Sequence, residues 1–239
     1  MSVLFSALFA VLTSADAVVT LLNSPSASSP GAFAAAREFV EKDAAEGKPL
    51  QQFVIGVLFE DCKDRAVYLD ASREKIRAMA EKKNNPLAWY LLSLEGNDLS
   101  MLRRAAAGGN VQALNALGTI ATAEAIGSKK LSSDDVAKIL RKCFGYFSRA
   151  AAMRDANGFI NLGACYMRGL GCTPDPALAF ECFRSAAELG HPEGMDNMSA
   201  CYELGHGVKK NEDLSLLWKM RARAVRGDAA AAKWLRERR

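Results

Sequence analysis

One spacing constrains this chain more than anything else in it. A step of 36 residues carries Phe147 onto Phe183, Ala150-Ala151 onto Ala186-Ala187, Leu162 onto Met198, Tyr166 onto Tyr202, Gly169 onto Gly205 and Gly171 onto Gly207, and sets Cys182 opposite Trp218. A fixed period of this length is the signature of a repeat architecture, in which each unit buries its apolar face against its neighbours. Upstream, a step of 45 carries Leu102, Arg104, Ala105-Ala106 and Leu117-Gly118 onto Phe147, Arg149, Ala150-Ala151 and Leu162-Gly163, with the extra residues falling in the polar stretch 127–135. Fainter copies lie earlier. Ala44-Ala45 followed by Gly47 and Pro49 echoes Ala186-Ala187 followed by Gly190 and Pro192, and Pro49 and Pro86 lie 37 apart.

Each unit reads as two antiparallel helices. Phe159, Leu162, Cys165 and Tyr166 share one face of a helix over 158–168. Gly169 is placed for a left-handed C-terminal cap, and Gly171 for a close backbone approach. Pro174-Asp175-Pro176 is a turn that starts a second helix, expected to run to about Glu188 with Ala179, Phe183, Ala186 and Ala187 inward. The paired alanines let helices approach closely. The fold class expected is therefore all-α, a right-handed solenoid of antiparallel helix pairs, with a polar-faced cap at the C-terminus.

Leu162-Gly163, Tyr166, Gly169 and Gly171, repeated as Cys201-Tyr202, Gly205 and Gly207 and closed by an Ala-Ala-x-x-Gly end, resemble the Sel-one-like repeats, a branch of the tetratricopeptide superfamily. The likeness is good over about 102–235 and weak over 33–101. Two departures stand out: Ser199 replaces the glycine expected after Met198, and no Gly-x-Gly turn follows Leu117-Gly118. Cysteine-rich members of the family place cysteines where this chain has Ala187 and Met195, so their disulfide subtype is not expected. The organisation expected is an apolar segment with a Ser/Pro linker over 1–30, divergent helical repeats over 31–101, and clear repeats with a basic cap over 102–239.

The termini carry their own signals. The first 36 residues contain no Lys or Arg, Val3 to Leu12 is an apolar run, and Ala15-Asp16-Ala17 resembles a small-residue cleavage site. Signal peptides begin with a basic region, which is missing here. A membrane span from Val3 to Leu22 would bury Asp16 at ~3 kcal/mol. An apolar helix that packs on the protein body is favoured, with cytoplasmic placement, and export through residues 1–17 is the alternative. At the other end, Lys219 to Arg239 holds eight basic residues against Asp228 and Glu237, more positive charge than the whole chain's net +4. No aromatic ladder accompanies it, so nucleic acid is not the expected partner.

Candidate chemistry is sparse. Six cysteines (Cys62, Cys143, Cys165, Cys172, Cys182, Cys201) form no C-x-x-C pair and, with two histidines, no metal-ligand spacing. Most sit at apolar helical positions; buried free thiols are expected, with a Cys165–Cys172 disulfide across the glycine turn as the alternative. Gly169-x-Gly171 and Gly205-His206-Gly207 lack the third glycine and preceding strand of a dinucleotide loop. No cofactor and no metal are expected. Ser72-x-x-Lys75 matches the Ser-x-x-Lys of serine β-lactamases, but a chain with this many serines and lysines matches by chance, and the Ser-Asp-Asn and Lys-Thr-Gly partners are missing. Ser72 is expected on a solvated helix. A Cys–His pair from Cys172 or Cys182 with His191 has no orienting third group. Ser132-Ser133-Asp134-Asp135 reads as a helix N-terminus.

One repeated feature points to binding. Asn161 and Asn197 lie 36 apart within apolar first helices, and Arg168 shares the face of Asn161 two turns on. They either line the inner, concave wall of the solenoid or bond to a neighbouring helix from within the core. The function expected is a non-catalytic scaffold or adaptor that binds a peptide or protein segment at Asn161, Arg168 and Asn197. Membrane spanning and small-molecule substrates are not expected. The alternative, by family association, is an exported hydrolase acting on β-lactam or cell-wall substrates.

Overall fold

The polypeptide punctuates itself into helices with proline, asparagine, aspartate and glycine at the joints. The computed structural model describes residues 30–58 and 62–238, so the apolar segment 1–29 and its cleavage-site motif lie outside the described residues. Twelve helices follow in order among the described residues, with no strand: α1 (Pro30–Ala45), α2 (Pro49–Leu58), α3 (Arg65–Lys83), α4 (Pro86–Gly96), α5 (Leu99–Ala107), α6 (Val111–Gly127), α7 (Ser133–Ala152), α8 (Ala156–Arg168), α9 (Pro176–Glu188), α10 (Pro192–Leu204), α11 (Glu212–Val225) and α12 (Ala229–Arg236). The chain is an all-α solenoid of antiparallel helix pairs, and no described helix is long and apolar enough to cross a membrane. It divides into two compact units, Met1–Ala113 and Leu114–Arg239, with the boundary inside α6.

In the N-terminal unit, α2 packs on α3 and α4 on α5. Helix α4 is apolar all round and buries every residue from Leu87 to Ser93. Asn85 caps its start by accepting from the Ala88 N–H, and Pro86 occupies the first turn, where a missing N–H costs nothing. Its end is closed by Asn97 in the left-handed region (φ 49°). The Arg73 guanidinium reaches from α3 to Glu95 at the end of α4, with Nε 2.8 Å from Oε1.

In the C-terminal unit the repeat is visible atom by atom. The seam between α7 and α8 buries Cys143, Phe147, Ala151, Leu162 and Cys165. The seam between α9 and α10 buries Ala179, Phe183, Ala187, Met198 and Cys201, each 36 residues further on. Two edge-on ring pairs recur at the same places. Phe144 meets Tyr166 at 5.4 Å and 85°, and Phe180 meets Tyr202 at 5.4 Å and 84°. This arrangement suits the ring quadrupoles. Ala179, Phe183, Ala186 and Ala187 face inward as the periodicity requires. The alanine pairs do what small side chains permit: a Cβ on Gly158 would strike Ala150 and Ala151, and one on Gly194 would strike Ala186 and Ala187.

The Gly-x-Gly turn divides its labour. Gly169 (φ 69°) and Gly205 (φ 74°) are left-handed caps whose N–H groups donate to the carbonyls of Cys165 and Cys201. Gly171 (φ 78°) and Gly207 (φ 70°) are left-handed too, but their role is contact: each lies against the backbone carbonyl of the preceding hairpin's second helix, at Leu140 and Pro176. A Cβ at either position would fall onto that oxygen. Asp175 then starts α9 by accepting from the N–H groups of Ala177 and Leu178 at 3.0 Å each.

Two departures from the repeat pattern have physical reasons here. In hairpin α8–α9 the bare Gly163 receives the Phe183 ring, as Gly118 receives Phe147. One repeat later that ring is absent, because Lys219 stands 36 residues after Phe183. Ser199 instead fills the space and shares a buried hydrogen bond with Ser215, Oγ to Oγ at 3.0 Å. After α6, the longer connection to α7 carries no Gly-x-Gly turn; Ser132 caps α7 by accepting from the Asp135 N–H at 3.1 Å, with Asp134 and Asp135 in the first turn. Helix α12 buries Ala231 and exposes Lys233 and Arg236.

Candidate interaction surface

The side chains that matter for binding lie on the first helices of the C-terminal hairpins, α6, α8 and α10. Asn161 and Asn197 occupy equivalent positions on α8 and α10, and both are half-buried. Neither side-chain amide has a hydrogen-bond partner among the described residues. Arg168 is exposed in the last turn of α8, where a cation also complements the helix dipole.

Bonding between neighbouring helices is done by other polar residues, which the sequence pattern did not single out. Asn115 on α6 donates from Nδ2 to Asp155 Oδ2 at 2.7 Å, and Asp155 also caps α8 by accepting from the Gly158 N–H at 2.7 Å. Asn157 on α8 accepts at Oδ1 from His191 at 3.2 Å, and His191 caps α10. Asp196 on α10 pairs with Arg226 at 2.5 Å. The first two bonds are one device repeated along successive first helices, each reaching the N-cap of the next, whereas the third is an exposed ion pair to Arg226 at the C-cap of α11. A polar residue near the start of α6 and of α8 could have been found by asking what lies beside the next first helix's N-cap.

His191 is therefore a capping residue. Its Nδ1 accepts from the Glu193 N–H at 3.2 Å, which leaves the proton on Nε2 to be donated to Asn157. Burial lowers its pKa from 6.5, with Arg226 adding to the effect and Asp155 opposing it. No thiol enters this arrangement. Cys165 and Cys172 are not joined; the Cys172 thiol donates to the Cys165 carbonyl at 3.5 Å, and all six cysteines are unpaired. Hydrogen bonding with Cys143 and burial push the Cys165 thiol up, and burial pushes Cys182 and Cys201 up to about 11. Thiols held protonated in this way are poor nucleophiles.

Ser72 corrects an expectation. It is on a helix, α3, but it is fully buried rather than solvated, and its hydroxyl donates to the Tyr68 carbonyl of its own helix. Lys75 is exposed. The Ser72 hydroxyl is spent on its own helix while Lys75 faces solvent, and no hydrogen bond joins the two among the described residues. Among the described residues no group of three or more His, Cys, Asp or Glu side chains could hold a metal ion.

Hairpins stacked at a fixed period, joined by glycine turns and lined with polar first helices, define a helical-repeat protein. The Sel1 repeat family model matches residues 138–155, 160–191 and 192–218, about a third of the chain. The chain is similar to the crystal structure of a Sel1 repeat protein from Oxalobacter formigenes, at 24% identity over 53% of this chain and 90% of that one, with a TM-score of 0.46. It is also similar to a protective antigen with an SLR fold present in uropathogenic Escherichia coli strains, at 19% identity and a TM-score of 0.39. That match covers 84% of this chain, which spans about half (52%) of the antigen's length. No curated protein matches the chain. Sel1 repeats generally serve as scaffolds for protein–protein interaction.

Proposed function

We propose that this protein is a non-catalytic adaptor that holds a peptide or flexible protein segment on the concave wall made by its first helices, with Asn161, Arg168 and Asn197 as polar contacts. The observation that carries this reading is the pair of half-buried amides on α8 and α10, one repeat apart and without a side-chain partner among the described residues. A primary amide both donates and accepts, which suits an extended backbone that lacks pairing of its own. The bonds from one first helix to the N-cap of the next are already made by Asn115 and Asn157. The amides of Asn161 and Asn197 remain available to a ligand.

The test is a random peptide display library selected on the full chain, with affinities of the recovered peptides measured by fluorescence anisotropy. The double variant Asn161→Ala, Asn197→Ala should weaken a class of these peptides about tenfold, the worth of two modest hydrogen bonds, while the melting temperature stays within a degree or so. A double variant that loses several degrees and still binds every recovered peptide would place the site elsewhere. The same reading puts the protein in a reducing compartment such as the cytoplasm, supported by six unpaired thiols, of which Cys143, Cys165 and Cys201 are buried. Two or more disulfides in the native protein would overturn that placement.

A further inference from the structure

A crevice recurs in the C-terminal unit with the period of the repeat, and its second copy has changed chemistry. The first, of about 300 Å³, is lined by Arg154, Phe159, Ser185, Glu188 and Leu189. The second, of about 480 Å³, has Met195, Arg221, Ala224 and Val225 at the positions 36 residues after Phe159, Ser185, Glu188 and Leu189. Ser185 has become Arg221 and Glu188 has become Ala224, so a carboxylate is lost and a guanidinium gained. Trp218, where the previous repeat has Cys182, and Leu235 of α12 complete the walls. Neither crevice uses Asn161, Arg168 or Asn197.

We propose that this terminal crevice is a second binding site, which takes an acidic segment of a partner protein with one large apolar side chain inserted between Met195, Trp218, Val225 and Leu235. Charge complementarity names the occupant. The Arg221 guanidinium lies 4.5 Å from the centre of the Trp218 ring and has no carboxylate partner among the described residues. It is held in place at the mouth of an apolar slot, ready to meet a carboxylate. Arg223, Arg226 and Lys233 are already paired with Asp228, Asp196 and Glu237. Lys219, Arg236 and Arg238, like Arg221, have no carboxylate partner among the described residues, but Arg221 alone of the cations lines the crevice. A phosphate backbone or an anionic membrane is held by several cations at once, whereas the crevice itself offers one guanidinium beside an apolar slot, which suits a short peptide. Glu188 borders the crevice on the side shared with the first copy, so the ligand's acids lie toward Arg221 and away from Glu188.

The experiment uses the same display library on the full chain and sorts the recovered peptides by the variant that defeats them. A class combining Asp or Glu with Phe, Leu or Trp is expected. It should lose about tenfold in affinity for Arg221→Glu and for Leu235→Asp, and keep its affinity for the Asn161→Ala, Asn197→Ala double variant. Replacing the peptide's acid by Lys should restore binding to Arg221→Glu. Arg221→Ala, a milder change at an exposed position, guards against misfolding and should weaken the same class with an unchanged melting temperature. Recovery of no peptide whose affinity depends on Arg221 overturns the proposal. So does binding of phosphatidylglycerol-containing vesicles or a single-stranded oligonucleotide that Arg221→Glu abolishes while acidic peptides fail to bind.

Discussion

Hairpins α8–α9 and α10–α11 share their punctuation and differ in their filling. Both end their first helix on a left-handed glycine, both tuck a second glycine under the carbonyl of the preceding second helix, and the seam in front of each carries an edge-on Phe–Tyr pair. Between their own two helices they part company, with Gly163 against the Phe183 ring in one and a Ser199–Ser215 hydrogen bond in the other. The period therefore protects backbone approach between hairpins. The chemistry inside a hairpin is free to drift as long as the volume is filled.

The largest effect should come from breaking what the two share. Gly171→Ala and Gly207→Ala each combine a left-handed residue with a Cβ driven into a backbone oxygen that cannot step aside. Each should cost about 3 kcal/mol or more by urea denaturation. Gly145→Ala is the control: it is helical, exposed and has open space around it, and it should be neutral or stabilise by about 0.5–1 kcal/mol. Equal losses for all three would mean that the carbonyl contact is not what the repeat preserves.

The filling should lose less, through overpacking in one hairpin and a stranded hydroxyl in the other. Gly163→Ala places a methyl group 2.6 Å from the Phe183 ring and should cost about 1–3 kcal/mol as that ring is displaced. Ser199→Ala strands the Ser215 hydroxyl and should cost about 1 kcal/mol, whereas Ser199→Ala with Ser215→Ala should recover most of that loss. A double-mutant cycle with no coupling between the serines would show that the hydrogen bond contributes nothing.

The smallest effect separates the two N-caps. Asp155 caps α8 as a carboxylate and His191 caps α10 as a neutral imidazole. Because burial lowers the His191 pKa below 6.5, the unfolded chain takes up this proton first as pH falls. Stability from this group is complete above pH 6.5 and declines as pH drops below it, until the folded form also titrates. The melting temperature should fall between pH 7 and pH 5.5 more steeply for the native chain than for His191→Asn, which keeps a capping oxygen and no titrating ring. Parallel profiles would remove His191 as the source.

The legibility of the fold follows the same division. Gly169, Gly171 and their copies could be read from the sequence because only glycine serves both a left-handed cap and a backbone contact. In the N-terminal unit that signal is weak for a physical reason. Asn84 (φ 47°) and Asn97 (φ 49°) take the left-handed caps, and asparagine does so without the steric demand that preserves a glycine. The paired Phe144 and Phe180 were as legible as Phe147 and Phe183, being 36 apart, yet their partners Tyr166 and Tyr202 become evident only in three dimensions. Asn115, Asn157 and the capping role of His191 escaped the sequence because a hydrogen bond between successive first helices has no fixed spacing; its two ends lie 40 residues apart in one instance and 34 in the next. Burial of Ser72 was hidden by the charged residues around it, since one turn of a helix holds both a core and a solvent position.

The second glycine of each turn gives the array a direction. Gly171 is seated on Leu140 and Gly207 on Pro176, so each of these two hairpins rests its turn on the one before it in the chain. A ribosome delivers the support before the part that leans on it, and each new hairpin emerges to a surface already in place. A fragment begun at Ala156 would reverse that economy, presenting Gly171 to water where Leu140 belongs, while a chain stopped after Glu188 would keep every seat it needs.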